Sequence, residues 1–320
     1  MKRRHLLALA LAAAAWALPA SAQKFPQKPV TLVVPFAPGG NLDVVARTLA
    51  PALGRALGQT MIVDNRAGAG GAIGASIVAR AQPDGYTLLV STPNALVVLP
   101  LMTKTDYQLD SFSPVGLMAT TPLVIAVRGQ SPLQDIQSLL AAVRAKPGRM
   151  TAGHAGPGTT NHVALLQLEQ AGKLSLNAVA YKGSAPALTD LMGGQIDLVV
   201  DQLTSSAAHI QAGTLRAVAV MSRERDTALP NVPTLREAGL VDFEATTAAG
   251  LLAPAGTPHD VVNTINAALR QTLNDEPVKH GLMSIGSPGQ ASSPDEWLAT
   301  LKKEQANAAV LAKTGKLKVD

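Results

Sequence analysis

"VVPFAPGGNLDVVAR", residues 33–47, runs from β-branched residues through a Pro- and Gly-rich turn into a helical repeat of apolar positions. "VTLVV" (30–34) reads as a strand and residues 42–57 as a helix, so the turn joins a strand's carboxyl end to a helix's amino end. In open α/β sheets ligands sit there, because the first amides of the helix have no partner within it. Gly39 and Gly40 let a guest approach the backbone, Asn41 suits the N-cap, and Asp43 falls in the first turn. Helix capping and an anion site of backbone donors are both open readings of this turn.

Working outward, "TMIVDN" (60–65) and "YTLLVS" (86–91) read as strands and residues 71–82 as a helix, a βαβ order that predicts a parallel sheet. Pro51 lies inside the first helical pattern and predicts a kink or the start of a second turn of helix there. The order repeats with "PLVIAV" (122–127), a helix over 131–145 opened by a Ser131-Pro132-Leu133-Gln134 capping box, "RMTAG" (149–153) and a helix over about 160–171. "QIDLVV", "LRAVAV" and "AAGLLAP" follow, then helices begun at Thr257-Pro258 and at the box Ser293-Pro294-Asp295-Glu296. The class is α/β, in two units.

A second loop of the same kind, "AGHAGPGTTNH" (152–162), also lies between a strand and a helix. Gly153, Gly156 and Gly158 permit close approach, and Thr159 and Thr160 bring hydroxyl donors to the helix start. Two such loops can clasp one carboxylate without an arginine, since each buried amide bond to an anion contributes roughly 1.5–3 kcal/mol. A third stretch, "DNRAGAGGAIGA" (64–75), lacks the dinucleotide spacing, because Ile73 stands where a third glycine is required. Its glycines read as a tight turn bordering the cleft.

The first 22 residues read as a cleaved secretory signal: Lys2, Arg3 and Arg4, an Ala-rich apolar run, and the small-x-small site Ala20-Ser21-Ala22 before Gln23. The Sec route is favoured over the twin-arginine one. The full chain has 320 residues and a net charge of +5; without the leader and its three basic residues, 298 residues and a charge of +2 remain. No strong basic field is left, which argues against nucleic acid as a partner. The chain has no cysteine, so an exported fold must rest on its core. Trp16 leaves with the signal, and Trp297, four Phe and three Tyr are few platforms for sugars or nucleobases. The expected ligand is small and polar.

Catalytic patterns are thin. There is no G-x-S-x-G elbow and no H-E-x-x-H, and the one S-x-x-K, at Ser21, straddles the cleavage site. His154 and His162 lack metal spacing; His154 reads as a neutral group lining the cleft and His162 as a helix cap. Asp201 and Gln202, at the end of the "IDLVVD" strand, face the same cleft or bond nearby backbone. No metal or cofactor is called for, and the chain reads as a binder and not an enzyme.

Taken in order over essentially the whole mature chain, "PVTLVVPFAPGGNLDVVARTLA", "VDNRAGAGGAIGA", "PDGYTLLVST", "AGHAGPGTTNH", "YKGSAPALTDLMGGQIDLVVDQ", "AGTLRAVAV", "LPNVPTLREAG" and "APAGTP" resemble the Bug-type substrate-binding proteins of tripartite tricarboxylate transporters. The resemblance implies a type II periplasmic binding protein, with two α/β lobes joined by two crossover strands and a ligand cleft between them. Residues 23–122 with 249–320 would form one lobe and 123–248 the other. It implies a periplasmic monomer that closes on a small carboxylate and delivers it to the membrane components of such a transporter. The implied contacts are Phe36, Gly39, Gly40 and Asp43, then His154, Gly158, Thr159 and Thr160, with Tyr181, Asp201 and Gln202 as further candidates. Pro38, Asn41 and Gly156, in the same two loops, complete the set. The chain departs from the family pattern at Ala180, Ala248 and Asp64; the missing ring at Ala248 points to room for a larger or more apolar acid. An exported hydrolase and a carboxylate sensor on the same scaffold are the alternatives.

Overall fold

The computed structural model describes residues 25–240 and 244–313, so the leader read at residues 1–22 lies outside the described residues. The first unit is a parallel trio: β1 (Val30–Val34) lies between β2 (Met61–Asn65) and β3 (Thr87–Ser91). Both faces of β1 are covered: Val30, Leu32 and Val34 sit in one core and Val33 in another, which is why it reads as an unbroken apolar run. α1 (Asn41–Leu57) lays Leu42, Val45, Leu49 and Leu53 into the first of these cores and ends at Gly58, whose φ of 70° closes the last turn. The helix does not restart at Pro51 but runs through it. Pro51 is exposed on an unbroken helix, so the Arg47 carbonyl that loses its bond is on the solvent side.

α2 (Ala72–Ala79) is preceded by a 3-10 turn at Ala69–Gly71, and the short helices α3 (Pro93–Val97) and α4 (Leu99–Met102) follow β3. β4 (Phe112–Arg128) is far longer than the expected strand. Its first part pairs antiparallel with β9 (Thr246–Pro254), from Phe112↔Pro254 to Pro122↔Thr246. Beyond Pro122 the same strand pairs antiparallel with β7 (Leu198–Gln202) and β8 (Leu215–Val220). The second parallel trio is β6 (Asn177–Ala180), β5 (Thr151–His154) and β7. The strand path is therefore β2-β1-β3-β9-β4-β7-β5-β6, with β8 beside β4. The parallel expectation holds within each trio, and the antiparallel β9-β4 pair joins them.

Among the described residues the two largest apolar clusters divide between the two units. One gathers Leu32, Leu49, Ile265 and Leu269, backed by the layer around Trp297; the other gathers Leu123, Ile125, Leu139, Leu165 and Val218. The helices of the second unit are α5 (Ile136–Ala145), α6 (Thr160–Gly172), α7 (Ser184–Met192) and α8 (Leu203–Gln211). α5 starts later than expected. Its capping box is Asp135 with Ser138, while Ser131 accepts from the Leu133 amide in the turn leaving β4. α9 (His259–Leu273), α10 (Glu276–Ser284) and α11 (Pro294–Lys313) close the chain, and the Ser293–Glu296 box stands as expected at the start of α11.

Candidate functional site

The carboxyl ends of β1, β5, β6 and β7 lead into α1, α6, α7 and α8, and the four helix starts converge on one small cavity of about 20 Å³, the space of about one water. Gly40, Thr159, Gly183 and Gln202 are the four N-caps. Only Thr159 caps with its side chain, accepting from the His162 amide at 3.3 Å; no side chain caps the other three. The first amides of these helices have no partner within the helix, and no charged side chain lines the cavity at which they start. Four helix dipoles pointing at one uncharged space favour an anion there.

Of the sequence candidates, Phe36, Gly40, Asn41, Thr159, Thr160 and Gln202 line this cavity. Asn41 is not the N-cap: Gly40 holds that place with φ −79°, and Asn41 is the first helical residue. The backbone at Gly40 does not itself require glycine, since its φ is ordinary and a Cβ there would lie 3.4 Å from the Ala37 carbonyl oxygen and farther from Ser184. A tight glycine near the cavity lies in the third glycine-rich stretch, Gly70. A Cβ on Gly70, at φ +63°, would stand 2.3 Å from the Pro157 carbonyl oxygen, so "DNRAGAGG" packs directly on the "HAGPG" loop.

The other candidates surround the cavity without lining it. Pro38 and Gly39 are exposed at the rim. Asp43 accepts from the Gly39 amide at 2.8 Å and from Asn65 Nδ2 at 2.9 Å, and pairs with Arg47 at 3.0 Å, so it fixes the loop. His154 is buried and stacked on His162, 4.5 Å between ring centres, with its Nδ1 3.1 Å from the Gly156 carbonyl oxygen. Burial, then the neighbouring His162, takes the His154 pKa down to about 4, so the imidazole is neutral at pH 7. Gly156 and Gly158 hold the loop at φ +121° and +70°, and the Gly158 amide donates to His162 Nδ1. Tyr181 turns away to donate to Asp190 at 2.7 Å.

Asp201 stands behind the wall, 2% exposed, accepting from Ser205 at 2.6 Å, Ser206 at 2.8 Å and Asn161 Nδ2 at 3.2 Å. Burial raises its pKa, and the serine hydroxyls oppose that shift. Asn161 and Gln202 form a closed amide pair: Gln202 Nε2 donates to Asn161 Oδ1 at 2.8 Å, and Asn161 Nδ2 donates to Gln202 Oε1 at 3.0 Å. Ser184 donates to the same Gln202 oxygen. Leu42, Thr92, Ala155, Asn161 and Ser184 line the cavity and were missed, although all five lie inside quoted motifs and Asn161 and Ser184 stand within two residues of a helix start. Ala248 packs beside the core that holds Trp297 and is not among the residues lining the cavity. A larger hollow of about 820 Å³, between α9, α11 and the start of β4, takes in the starts of α9 and α11, and its wall carries charged side chains, Asp110, Asp295 and Lys302, beside His259.

The chain resembles solved structures over most of its length. It is 36% identical to periplasmic binding protein BugD, with a TM-score of 0.88 over 92% of this chain and 100% of that one. It is 33% identical to MatC from Rhodopseudomonas palustris with bound malate, with a TM-score of 0.85 over 90% of this chain and 100% of that one. For R. palustris Rpa4515 with adipate the values are 33% identity and a TM-score of 0.88, over 92% of this chain and 100% of that one. The two-lobed periplasmic binding fold follows from these likenesses together with the β4 and β9 crossings. Residues 45–307 match the family described as tripartite tricarboxylate transporter family receptor, and the chain belongs to that family.

Proposed function

We propose that this receptor captures a small carboxylate between its lobes and hands it, without chemical change, to the membrane components of a tripartite tricarboxylate-type transporter. The observation that carries this reading is the meeting of four helix starts, three without a side-chain cap, on a cavity lined by neutral groups. Malate and adipate in two structural relatives support it. A cavity of about 20 Å³ is far smaller than either acid, so entry requires the lobes to part and capture requires them to close. The lobes divide at residues 23–122 with 249–320, and 123–248. The two cores and the change of partner along β4 support this division.

Binding uses Phe36, Gly40, Asn41, Thr159, Thr160, Asn161, Ser184 and Gln202, while Asp43, His154 and Asp201 hold the loops that carry them. The protein works as a monomer in the periplasm, exported by removal of residues 1–22, and the mature chain recovered from that compartment begins at Gln23. The deciding experiment is calorimetry with mono-, di- and tricarboxylates and aromatic acids, beside mass spectrometry of what co-purifies. A bound acid with no turnover over hours supports the reading. No binding by any acid, or release of a product from generic esters, would sink it.

A further inference from the structure

We infer that Asn41 is the specificity-determining donor of this cleft: its side-chain amide takes a second oxygen acceptor of the ligand, so the receptor selects diacids over monoacids of the same length. The inference deepens the carboxylate reading and rests on it. Among the described residues, two buried side-chain polar atoms have no partner, Asn41 Nδ2 and Trp297 Nε1. Trp297 is packed under Gly250 of β9 in an apolar core, where no ligand reaches. Asn41 is 4% exposed and lines the cavity. The other two amide side chains there, Asn161 and Gln202, are satisfied by each other, by Ser184 and by Thr247.

The rest of Asn41 is held. Its Oδ1 accepts from Thr121 Oγ1 at 3.3 Å, and that hydroxyl also lies 2.6 Å from Ser287 Oγ and 3.1 Å from Thr204 Oγ1. The amide is thus tied to the crossover strand β4, a side-chain length from the backbone amides of its own helix start. One carboxylate taken by the backbone donors leaves this donor for another oxygen at the crossover end. A fold tolerates a buried unmet donor poorly, and a ligand acceptor is what repairs it. The malate-bound and adipate-bound relatives fit acids with two carboxylates four to six carbons long.

The test compares Asn41→Leu with wild type by calorimetry, using succinate, glutarate and adipate against butyrate, pentanoate and hexanoate, with thermal melts of the unliganded proteins. Wild type is expected to prefer at least one diacid over its matched monoacid by about 10- to 150-fold, the worth of one bond to a charged acceptor, and Asn41→Leu to lose that preference while still binding a monoacid. Leucine removes the unmet donor together with the Thr121 bond to Oδ1, so the melts report only that the variant folds; the preference for a diacid over its matched monoacid, which a purely structural Asn41 would not move, is the deciding readout. Undiminished preference in Asn41→Leu overturns the inference and leaves the carboxylate reading standing. A wild type that binds only monoacids also overturns it, and a wild type that binds none of the six overturns the inference and counts against the carboxylate reading.

Discussion

Thr121 and Thr247 are cross-strand partners on the two crossover strands, and each holds the side-chain amide of a different cavity residue. Thr121 donates to Asn41 Oδ1 and Thr247 accepts from Gln202 Nε2, both at 3.3 Å. Asn41 starts α1 beside β1, and Gln202 ends β7. The strands that join the lobes therefore also orient a polar group from each.

The two threonines should differ in worth. Thr121→Val leaves Asn41, Ser287 and Thr204 with one partner fewer in a buried cluster, and should cost about 1–3 kcal/mol of stability. Thr247→Val leaves Gln202 Nε2 its bond to Asn161, and should cost about 0.5–1.5 kcal/mol. Urea unfolding measures both, and equal costs would show that the Thr121 cluster is not a unit.

The two neutral histidines predict a pH dependence. The His154 pKa is about 4 in the fold against 6.5 for the free group, so the folded state resists protonation. Its contribution is fully present above pH 6.5 and is lost as pH falls from about 6.5 toward 4, to a total of about 3 kcal/mol. His162 is lowered in the same direction by burial. His154→Asn should flatten stability between pH 6.5 and 4.5, read by denaturant melts at half-unit steps; an unchanged slope would mean that other groups govern acid unfolding.

Asp201 has the opposite sign. Its pKa is raised by burial, so its favourable contribution belongs to the protonated form, is complete below the ordinary carboxylate range, and is lost as pH rises through the folded pKa. At pH 7 to 8 a buried carboxylate with only hydroxyl and amide donors is a cost. Asp201→Asn can keep bonds to Ser205 and Ser206, whose hydroxyls both donate and accept. Melts at pH 5 and pH 8 should show the variant gaining relative to wild type at the higher pH, and a variant that loses more at pH 8 than at pH 5 would refute this sign.

The strand-to-helix turns were legible because strand period, glycine and the following helical period coincide, as at residues 30–57 and 151–172. β6 was missed because it is four residues long and largely exposed, so it has no apolar alternation. The start of α5 was misplaced because Ser131 and Asp135 both precede plausible first turns, and only the exit of β4 decides between them. The network joining Asn161, Asp201, Gln202 and Thr247 spans residues up to 86 apart, through bonds that no local period encodes. The unmet donor on Asn41 is equally invisible in sequence, where the residue reads as a good N-cap.

Closure is expected to depend on Gly70 more than on Gly40. Gly70 lies against Pro157 and Leu99 at φ +63°, so an added Cβ meets a backbone oxygen at 2.3 Å and must push the β5–α6 loop away. Gly40 has an ordinary φ and ordinary van der Waals room. Gly70→Ala should therefore hold the lobes apart, weaken the acid found by calorimetry at least about tenfold, and abolish ligand-induced compaction in small-angle scattering. Its left-handed backbone adds strain of about 1–2 kcal/mol, which a melt of the unliganded variant measures separately. Gly40→Ala should bind within about threefold of wild type, less than 1 kcal/mol. Full affinity and compaction in Gly70→Ala would show that the "DNRAGAGG" turn yields on closure, and loss of binding in Gly40→Ala would return the decisive contact to the first loop.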